Sequence, residues 1–305
     1  MPASPLARSE SPPIRSFHHD EFTVDRLLRS KGDRSVSICL PARNEATTIG
    51  PIVAMRRRAV VDVGAADGLI VIDDGSSDAT AAEARANGAE VVRSSEVLPE
   101  FGDGHGKGGV LWKSLHVSTG DVVVWCDTDI EDFHPRFVTG ILGPLLCEPD
   151  VEFVKGYYDR PERNGTGGGR VSELVARPLL SLLYPDLAAL FQPLSGEYGG
   201  TRAVLEQLPF VDGYGVDVGL LIDFTRLRGI DRLVQVNLDV RLHRNRDLAE
   251  LGPQAMAVMQ TILRRVDPDL VPVVADLVRP GRPDVSVAVS ERPPLAELRS
   301  RRDRS

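Results

Sequence analysis

The chain has 305 residues, of which 42% are hydrophobic and 26% are charged, so it can bury the core of a globular protein and still present a charged surface. Its formal net charge of -8 argues against a general nucleic-acid binder, which needs a basic face to neutralise phosphates. An anionic ligand must therefore be held locally, by arginine, lysine or a metal ion.

The cysteines and the apolar segments indicate a location. Cys39, Cys126 and Cys147 cannot all pair with one another, and the first two lie in apolar runs typical of buried strands. No stretch approaches the roughly 20 apolar residues that a membrane helix needs. The N-terminal region lacks the apolar segment of a signal peptide. These features predict a cytoplasmic protein without a membrane span.

Short apolar runs alternate with helical stretches from Val36 onward, which is the pattern of β-α-β units. Before that point, a segment rich in Pro and Ser predicts disorder through about Ser16, and Phe22, Leu27 and Leu28 predict a short amphipathic helix. Strands are predicted at residues 36–40, 69–72, 90–93, 121–125, 151–155 and 233–238, and helices from near Ala46, over 79–87, over 110–116 and from Arg170.

Polar clusters follow the first, second and fourth of these strands, at residues 41–45, 73–78 and 126–129. The carboxyl ends of parallel strands meet at one edge of the sheet, where open α/β sheets bind ligands. We therefore expect one site along that edge. Taken singly, each cluster also fits a solvated turn or a helix cap.

The carboxylates in these clusters have distinct uses. Asp127 and Asp129 flank Thr128 at a strand end, and their oxygens suit a hard divalent cation that bridges to a diphosphate. Asp74 and Glu45 can accept hydrogen bonds from ribose hydroxyls or a base N–H.

A glycine-rich loop at residues 102–109 resembles a phosphate-binding P-loop only superficially. It lacks a glycine at the required position five before Gly106, and Gly108 stands where Ser or Thr should bind magnesium, so a Walker A site is excluded. Lys107, at the entry of a predicted helix, is well placed to meet a phosphate. An exposed surface lysine is the alternative.

Two cationic motifs lie in the second half of the chain. Glycines 167–169 precede Arg170 and Ser172 at a predicted helix start, where backbone N–H groups and the positive helix end predict an anion site. After the strand predicted at 233–238, the arginines at 241, 244 and 246 can face phosphates, and a neutral His243 can complete a metal shell. A lone histidine is more often structural.

Taken together, these motifs resemble the glucosyl-3-phosphoglycerate synthase family of retaining GT-A glycosyltransferases. The resemblance runs from about Ser35 to about Leu251 and is most specific at residues 168–180, 192–198 and 243–246. It implies an α/β GT-A fold with a Rossmann-like nucleotide-binding half and a smaller acceptor-binding C-terminal half. It also implies transfer of glucose from UDP-glucose to (R)-3-phosphoglycerate with retention, assisted by Mg²⁺ or Mn²⁺.

The resemblance also implies roles for individual residues. Asp129 and His243 would hold the metal, and Asp129, Asp217 and Arg241 would act in catalysis. The acceptor would be held by Gly169, Arg170, Val171, Ser172 and Asn245. The nucleotide sugar would be held by Pro41, Ala42, Arg43, Asn44, Glu45, Asp74, Lys107, Asp127, Thr128, Tyr214, Asp217, Arg241 and Arg244.

Three alternatives stay open at this point. The first concerns the sugar donor. Asp74 stands where close relatives often have Ser, and Asp217 stands where they often have Glu. A related mannosyl-3-phosphoglycerate synthase shares the framework and uses GDP-mannose. A sugar-nucleotide nucleotidyltransferase would need a Gly-rich loop with Arg and Lys after the first strand, where residues 41–45 stand. A non-catalytic nucleotide-sugar binder is the third alternative.

The predicted organisation has four parts. Residues 1–34 form a partly disordered extension, 35–148 the nucleotide-sugar-binding half, 149–278 the acceptor-binding half and 279–305 a tail rich in Pro and Arg. The sequence leaves the oligomeric state undecided, and a homodimer is one arrangement that it allows.

Overall fold

The computed structural model of the chain describes residues 14–102, 106–130, 134–162, 165–166, 169–241 and 248–302. Its strands are β1 (Arg15–His18), β2 (Val36–Ala42), β3 (Gly68–Asp73), β4 (Glu90–Arg93), β5 (Val122–Trp125), β6 (Phe153–Asp159), β7 (Pro161–Glu162), β8 (Gly165–Thr166), β9 (Tyr198–Thr201), β10 (Phe210–Val211), β11 (Leu233–Val240), β12 (Val274–Leu277), β13 (Val285–Ala288) and β14 (Glu291–Arg292). Its α-helices are α1 (Val24–Lys31), α2 (Ile49–Arg56), α3 (Thr80–Ala86), α4 (Lys107–Val117), α5 (Arg136–Cys147), α6 (Arg177–Leu183), α7 (Arg202–Leu205), α8 (Val216–Arg228), α9 (Leu248–Val266) and α10 (Leu295–Arg302).

Eight of these strands form one sheet in the order β1-β11-β6-β9-β5-β2-β3-β4. β9 is antiparallel to both of its neighbours, β5 and β6. The other adjacent pairs are parallel. The remaining seven strands of this sheet therefore end at the same edge, as expected for a ligand site in an open α/β sheet.

Side chains alternate between two apolar clusters on the two faces of the sheet. Along β5, Val122 and Val124 belong to the cluster that includes α5, whereas Val123 and Trp125 belong to the cluster that includes α4. This alternation is the period-2 geometry of a strand buried on both faces. It explains why the run reads as continuously apolar in the sequence.

The predicted strands are confirmed, with small differences at their ends. β4 has the predicted bounds, and β2 extends two residues further, to Ala42. β6 is the largest exception, because it begins at Phe153 and continues to Asp159. Helix α2 begins at Ile49 rather than near Ala46, since residues 46–48 form a turn.

The N-terminal region is more ordered than its composition predicts. Arg15 and Ser16 belong to β1, which pairs in parallel with β11, so the prediction of disorder through about Ser16 is wrong for these two residues. Backbone pairing orders them, although their side chains are exposed. The predicted amphipathic helix is α1, whose Leu27 is fully buried. Residues 1–13 lie outside the described part of the chain.

The segment predicted as a C-terminal tail also contains regular structure. β13 pairs with β12, and β14 pairs with β10. Leu295 of α10 is buried in the cluster that contains Trp112, and the indole N–H of Trp112 donates to the carbonyl of Pro293 at 2.8 Å. The boundary between the two predicted halves stays a prediction, and the large sheet takes strands from both.

Helix α4 approaches β10 closely at Gly108, where an added Cβ would lie 1.8 Å from the carbonyl oxygen of Val211. We expect Gly108→Ala to lower the free energy of unfolding by about 1–3 kcal/mol, because the obstructing atom is backbone and cannot rotate away. Gly68→Ala is the control, since no atom lies within 4 Å of its added Cβ. Denaturant titration should separate the two variants; equal stability would contradict the close packing.

Candidate active site

A cavity of about 460 Å³ lies at the carboxyl edge of the sheet. It is lined by residues that follow β2, β3, β5, β6 and β11, and by residues of α4, α8 and α9. The sequence-predicted residues that line it are Pro41, Ala42, Arg43, Glu45, Asp74, Lys107, Asp127, Thr128, Asp129, Gly169, Arg170, Val171, Ser172, Tyr214, Asp217 and Arg241.

Asn44 is a predicted site residue that does not line this cavity. Its side-chain Oδ1 accepts from the backbone N–H of Ser77 at 2.9 Å, and its own N–H donates to Ser76 Oγ at 3.0 Å. Its φ of 57° is one that asparagine tolerates better than most residues. Asn44 shapes the loop after β2, and its contact with a nucleotide stays a prediction. His243, Arg244 and Asn245 lie outside the described residues.

The buried guanidinium of Arg241 brings three carboxylates together. It donates to Asp129 Oδ1 at 2.8 Å, to Glu197 Oε2 at 3.1 Å and to Asp127 Oδ2 at 3.3 Å, and it also donates to the Tyr158 hydroxyl. Burial alone would lower the pKa of Arg241, but the carboxylates, Glu197 first, raise it well above its usual range. These charge-assisted hydrogen bonds fix the side chains that follow β5.

Lys107 supplies a second cation beside the same carboxylates. Its ammonium donates to Asp217 at 3.2 Å and lies 3.6 Å from Asp127 Oδ1. Burial would raise the pKa of Asp127, but Lys107 and Arg241 together hold it well below its usual range. Asp127 is therefore an anion between two cations.

Gly196 allows the chain before β9 to pass directly over Asp127. An added Cβ at Gly196 would lie 1.9 Å from Asp127 Oδ2. The next residue, Glu197, then reaches Arg241 from the side of the sheet that β9 supplies. This contact gives a physical reason for glycine in the motif at residues 192–198.

One end of the cavity is organised by hydrogen bonds between loops. Thr128 Oγ1 donates to the carbonyl of Pro41 at 2.8 Å, which joins the loops after β2 and β5. Asp74 accepts from Ser94 Oγ at 3.2 Å, and its other oxygen lies 3.8 Å from the Arg43 guanidinium. The carboxylate of Asp74 is thus held at the cavity wall, where it can accept from a hydroxyl or a base N–H.

At the other end, the chain turns into a helix at the predicted anion site. The carbonyl of Gly169 accepts from the N–H of Glu173 at 3.0 Å, and a π-helical segment, Ser172–Ala176, continues directly into α6. The Arg160 guanidinium packs against Gly169, where an added Cβ would lie 3.0 Å from its Nη1. Arg160 and Arg170 therefore line the same end of the cavity.

Several residues of the site were missed by sequence reasoning. Arg160 follows β6, Glu197 is fully buried, and Lys155 lies within an apolar strand. The signal that could have found Lys155 and Glu197 is a charged residue inside an otherwise apolar segment. Besides Arg160, the missed residues that line the cavity are Gly106, Val110, Leu194, Leu251, Gln254 and Val258.

Lys155 is a buried amine behind Asp217. Its Nζ lies 3.7 Å from Asp217 Oδ1 and 4.0 Å from the ring centroid of Tyr198. Within the described residues this nitrogen makes no hydrogen bond. Burial lowers the pKa of Lys155 to about 8, even though Asp217 acts in the opposite direction. Lys155 thus carries a charge that the protein interior stabilises only partly.

Comparisons with known proteins agree with this geometry. The sequence profile described as Glycosyl transferase family 2 matches residues 37–205. The glucosyl-3-phosphoglycerate synthase of Petrotoga mobilis is 45% identical over 262 residues, which cover 83% of this chain and 81% of that protein. The chain belongs to the glucosyl-3-phosphoglycerate synthase group of glycosyl transferase family 2.

Solved structures extend the family match to the fold. Glucosyl-3-phosphoglycerate synthase from Mycobacterium tuberculosis, in complex with Mn²⁺, UDP-glucose and phosphoglyceric acid, has a TM-score of 0.85 and 42% identity, covering 94% of this chain and 100% of that one. Mannosyl-3-phosphoglycerate synthase from Rubrobacter xylanophilus has a TM-score of 0.85 and 36% identity, covering 93% and 97%. The predicted GT-A glycosyltransferase fold is confirmed. Within the described ranges, no helix is both long and apolar enough to span a membrane.

The pKa of Lys155 leads to a prediction about stability. The unfolded chain holds the lysine proton up to its ordinary pKa of 10.5, whereas the folded chain releases it near pH 8. Because the unfolded state binds more protons in that window, the contribution of Lys155 to the unfolding free energy rises with pH from about 8 to 10.5. Denaturant titrations of Lys155→Met should lack this rise.

Lys31→Met is the control, since Lys31 is a lysine in an ion pair with Asp67 away from the site. If Lys155→Met and Lys31→Met both retained the full rise of the unfolding free energy with pH, a group other than Lys155 would be the source of that rise.

Proposed function

We propose that the chain is a metal-dependent glucosyl-3-phosphoglycerate synthase that transfers glucose from UDP-glucose to (R)-3-phosphoglycerate with retention. One observation carries the proposal: a single cavity contains both the carboxylate and cation network around Arg241 and the anion-binding turn from Gly169 to Ser172. The relatives of this name from Petrotoga mobilis, Mycolicibacterium paratuberculosis and Mycobacterium tuberculosis are 44–45% identical over most of their length.

The donor set around Asp129 fits a divalent cation. Its side chain is 48% exposed, one of its oxygens is held by Arg241, and the Asp127 carboxylate shares the same guanidinium. Hard cations such as Mg²⁺ and Mn²⁺ take carboxylate oxygens of this kind. Asp129 would hold the ion, with His243 as the second proposed ligand. When bound, the ion would neutralise negative charge on the diphosphate leaving group.

The cations of the chain would bind and orient the rest of the donor. Lys107 is paired with Asp217 and can turn towards a phosphate oxygen that enters the cavity. Asp217 is buried and Tyr214 is exposed on the cavity wall, a pairing suited to the hydroxyls and the face of a hexose. Asp74, Glu45 and the loop around Pro41 would hold the nucleoside.

The acceptor is a small molecule with a phosphate and a carboxylate. The helix start at Gly169 offers backbone N–H groups, and Arg170 offers a planar guanidinium that can make two parallel bonds to phosphate. Ser172 adds a hydroxyl, and Asn245 is retained as a proposed contact. Arg160 lies against Gly169 and joins this set. A net charge of -8 makes such a local positive site necessary.

Mannosyl transfer from GDP-mannose is the second candidate, because the Rubrobacter mannosyl-3-phosphoglycerate synthase has the same fold at 36% identity. A matrix of UDP-glucose, GDP-glucose and GDP-mannose against 3-phosphoglycerate and glycerate decides between them. We expect the highest kcat/KM for UDP-glucose with 3-phosphoglycerate. Turnover with any pair would also exclude a non-catalytic sugar-nucleotide binder.

The proposal extends to the cellular setting. Cys39, Cys126 and Cys147 are all free thiols, which supports a reducing, cytoplasmic location. The exposed apolar side chains of Leu182 and Phe191 support a homodimer.

The metal role of Asp129 leads to a prediction about activity. Chelation by EDTA should abolish turnover, and Mg²⁺ or Mn²⁺ should restore it. Asp129→Asn should lower kcat by at least about 100-fold, because a positioned cation supplies several kcal/mol of transition-state stabilisation. Asp150→Asn, in a surface pair with Arg15, is the control and should retain activity. Full activity in the presence of chelator would refute the metal role.

The acceptor site leads to a prediction about Arg170. Charge-assisted bonds of this kind contribute about 1.5–3 kcal/mol each, so Arg170→Ala should raise the KM for 3-phosphoglycerate about tenfold or more. The donor KM should change little. Arg170→Lys should rescue only partly, because an ammonium cannot reproduce the planar fork. Arg58→Ala, an exposed arginine on a helical turn, is the control.

Glycerate tests whether Arg170 meets the phosphate or another group. Replacing 3-phosphoglycerate by glycerate should weaken the intact enzyme comparably, but it should add little further loss in Arg170→Ala, where the partner of the phosphate is already gone. If the two losses multiply, Arg170 does not bind the phosphate.

A further inference from the structure

Two histidines and an aspartate meet at the outer end of the same sheet edge. His18 ends β1, His19 begins a short 3-10 turn, and Asp239 lies near the end of β11. The Nε2 atom of His18 lies 3.0 Å from Asp239 Oδ1, and that of His19 lies 2.5 Å from Asp239 Oδ2. All three potential ligand atoms lie within 4.8 Å of one another. None of the three residues lines the cavity described above.

The opposite ring nitrogens face a second carboxylate, that of Asp20. His19 Nδ1 lies 3.1 Å from Asp20 Oδ1. His18 Nδ1 lies 3.4 Å from Asp20 Oδ2 and accepts from the Asp20 backbone N–H at 3.4 Å. For His19 this is the usual arrangement of a metal-bound histidine, because a carboxylate behind the imidazole holds a proton on one nitrogen and presents the lone pair of the other.

The imidazole of His19 lies between two carboxylates, those of Asp20 and Asp239. A neutral imidazole carries one N–H, so it can donate to only one of its two carboxylate neighbours. If Nδ1–H donates to Asp20, the Nε2 lone pair points at an anionic oxygen of Asp239 only 2.5 Å away. This contact is repulsive unless a positive charge, either a proton on Nε2 or a metal ion, lies at that point. His19 is 11% exposed, whereas His18 and Asp239 are 38% and 47% exposed, so solvent can deliver an ion.

The backbone at Asp239 adopts a conformation that is unfavourable for residues other than glycine. Its φ is 63°, in the left-handed region where glycine is the favoured residue. The pairing of β11 with β6 shifts register between Asn237 and Val240, and the N–H of Asp239 donates to Asn237 Oδ1 at 2.9 Å. The chain thus bulges where Asp239 turns its side chain towards the two histidines.

We propose that His18, His19 and Asp239 form a second metal site, distinct from the catalytic one, that takes a nitrogen-preferring transition ion, Zn²⁺ above all. Tetrahedral zinc with ligands at about 2.0–2.2 Å places its ligand atoms roughly 3.3 Å apart, so small side-chain shifts would suffice. Water would supply the fourth ligand. Two imidazoles and one carboxylate favour Zn²⁺ over Mg²⁺, whereas the oxygen donors of Asp129 suit Mg²⁺ or Mn²⁺.

Such an ion would fasten the edge strand β1 to the end of β11. Arg136 already holds this segment by donating to the carbonyls of Leu238 at 2.7 Å and Val240 at 2.6 Å. Arg241 follows directly, with its guanidinium in the carboxylate network. The ion would therefore act as a structural brace near the residue that organises the catalytic site.

The test uses the full chain, freed of metal by chelation and then held in excess Mg²⁺ to occupy the proposed catalytic metal site. Zn²⁺ is titrated by calorimetry, and retained zinc is counted by mass spectrometry after desalting. We expect one retained Zn²⁺ in the wild type, and at least about 100-fold weaker binding in the His18→Gln, His19→Gln double variant and in Asp239→Gly. His116→Gln and Asp129→Asn are the controls and should retain the ion.

Melting temperatures separate loss of the ion from failure to fold. Zn²⁺ should raise the melting temperature of the wild type and of both controls, but not that of the site variants. Without zinc, Asp239→Gly should still unfold in a single cooperative transition, because glycine accepts the left-handed backbone. Zinc bound equally by wild type and Asp239→Gly, or no zinc retained by the wild type in Mg²⁺, would overturn the proposal and leave the histidines as hydrogen-bond partners only.

Discussion

The buried charge of Arg241 is the interaction on which the rest of the site depends. Asp127 and Asp129 follow β5, and Glu197 precedes β9, yet all three carboxylates meet one guanidinium that is 3% exposed. Removing one partner from a buried network leaves an uncompensated charge, which costs more than the pair gains by forming. Because Arg241 directly follows β11, the network links three strand ends across the centre of the sheet. Assembly of the site therefore requires these strands to be paired in the folded sheet.

Two lysine side chains lie beside the carboxylate of Asp217. Its carboxylate lies 3.2 Å from the ammonium of Lys107 and 3.7 Å from that of Lys155. Lys107 lines the cavity, whereas Lys155 is buried in β6. In the proposed donor complex, Lys107 would turn towards the diphosphate and Asp217 would keep Lys155 as its neighbouring cation.

The sequence could predict the elements whose signal is local. Apolar runs marked β2 to β5, and polar residues at their ends marked the cavity, since parallel strands share one edge. It could not predict β1, because backbone pairing with β11 orders exposed side chains there. It missed Lys155 and Glu197, whose partners come from distant segments. His18 and Asp239 are 221 positions apart, so only the fold brings them together.

The glycines of the two most specific motifs act through close approach rather than through flexibility. An added Cβ at Gly196 would meet the Asp127 carboxylate at 1.9 Å, and one at Gly169 would meet the Arg160 guanidinium at 3.0 Å. Neither glycine has the positive φ that glycine alone adopts easily. Each one lets backbone lie directly against a charged group of the cavity. The two motifs therefore set the distance between backbone and charge at both ends of the cavity.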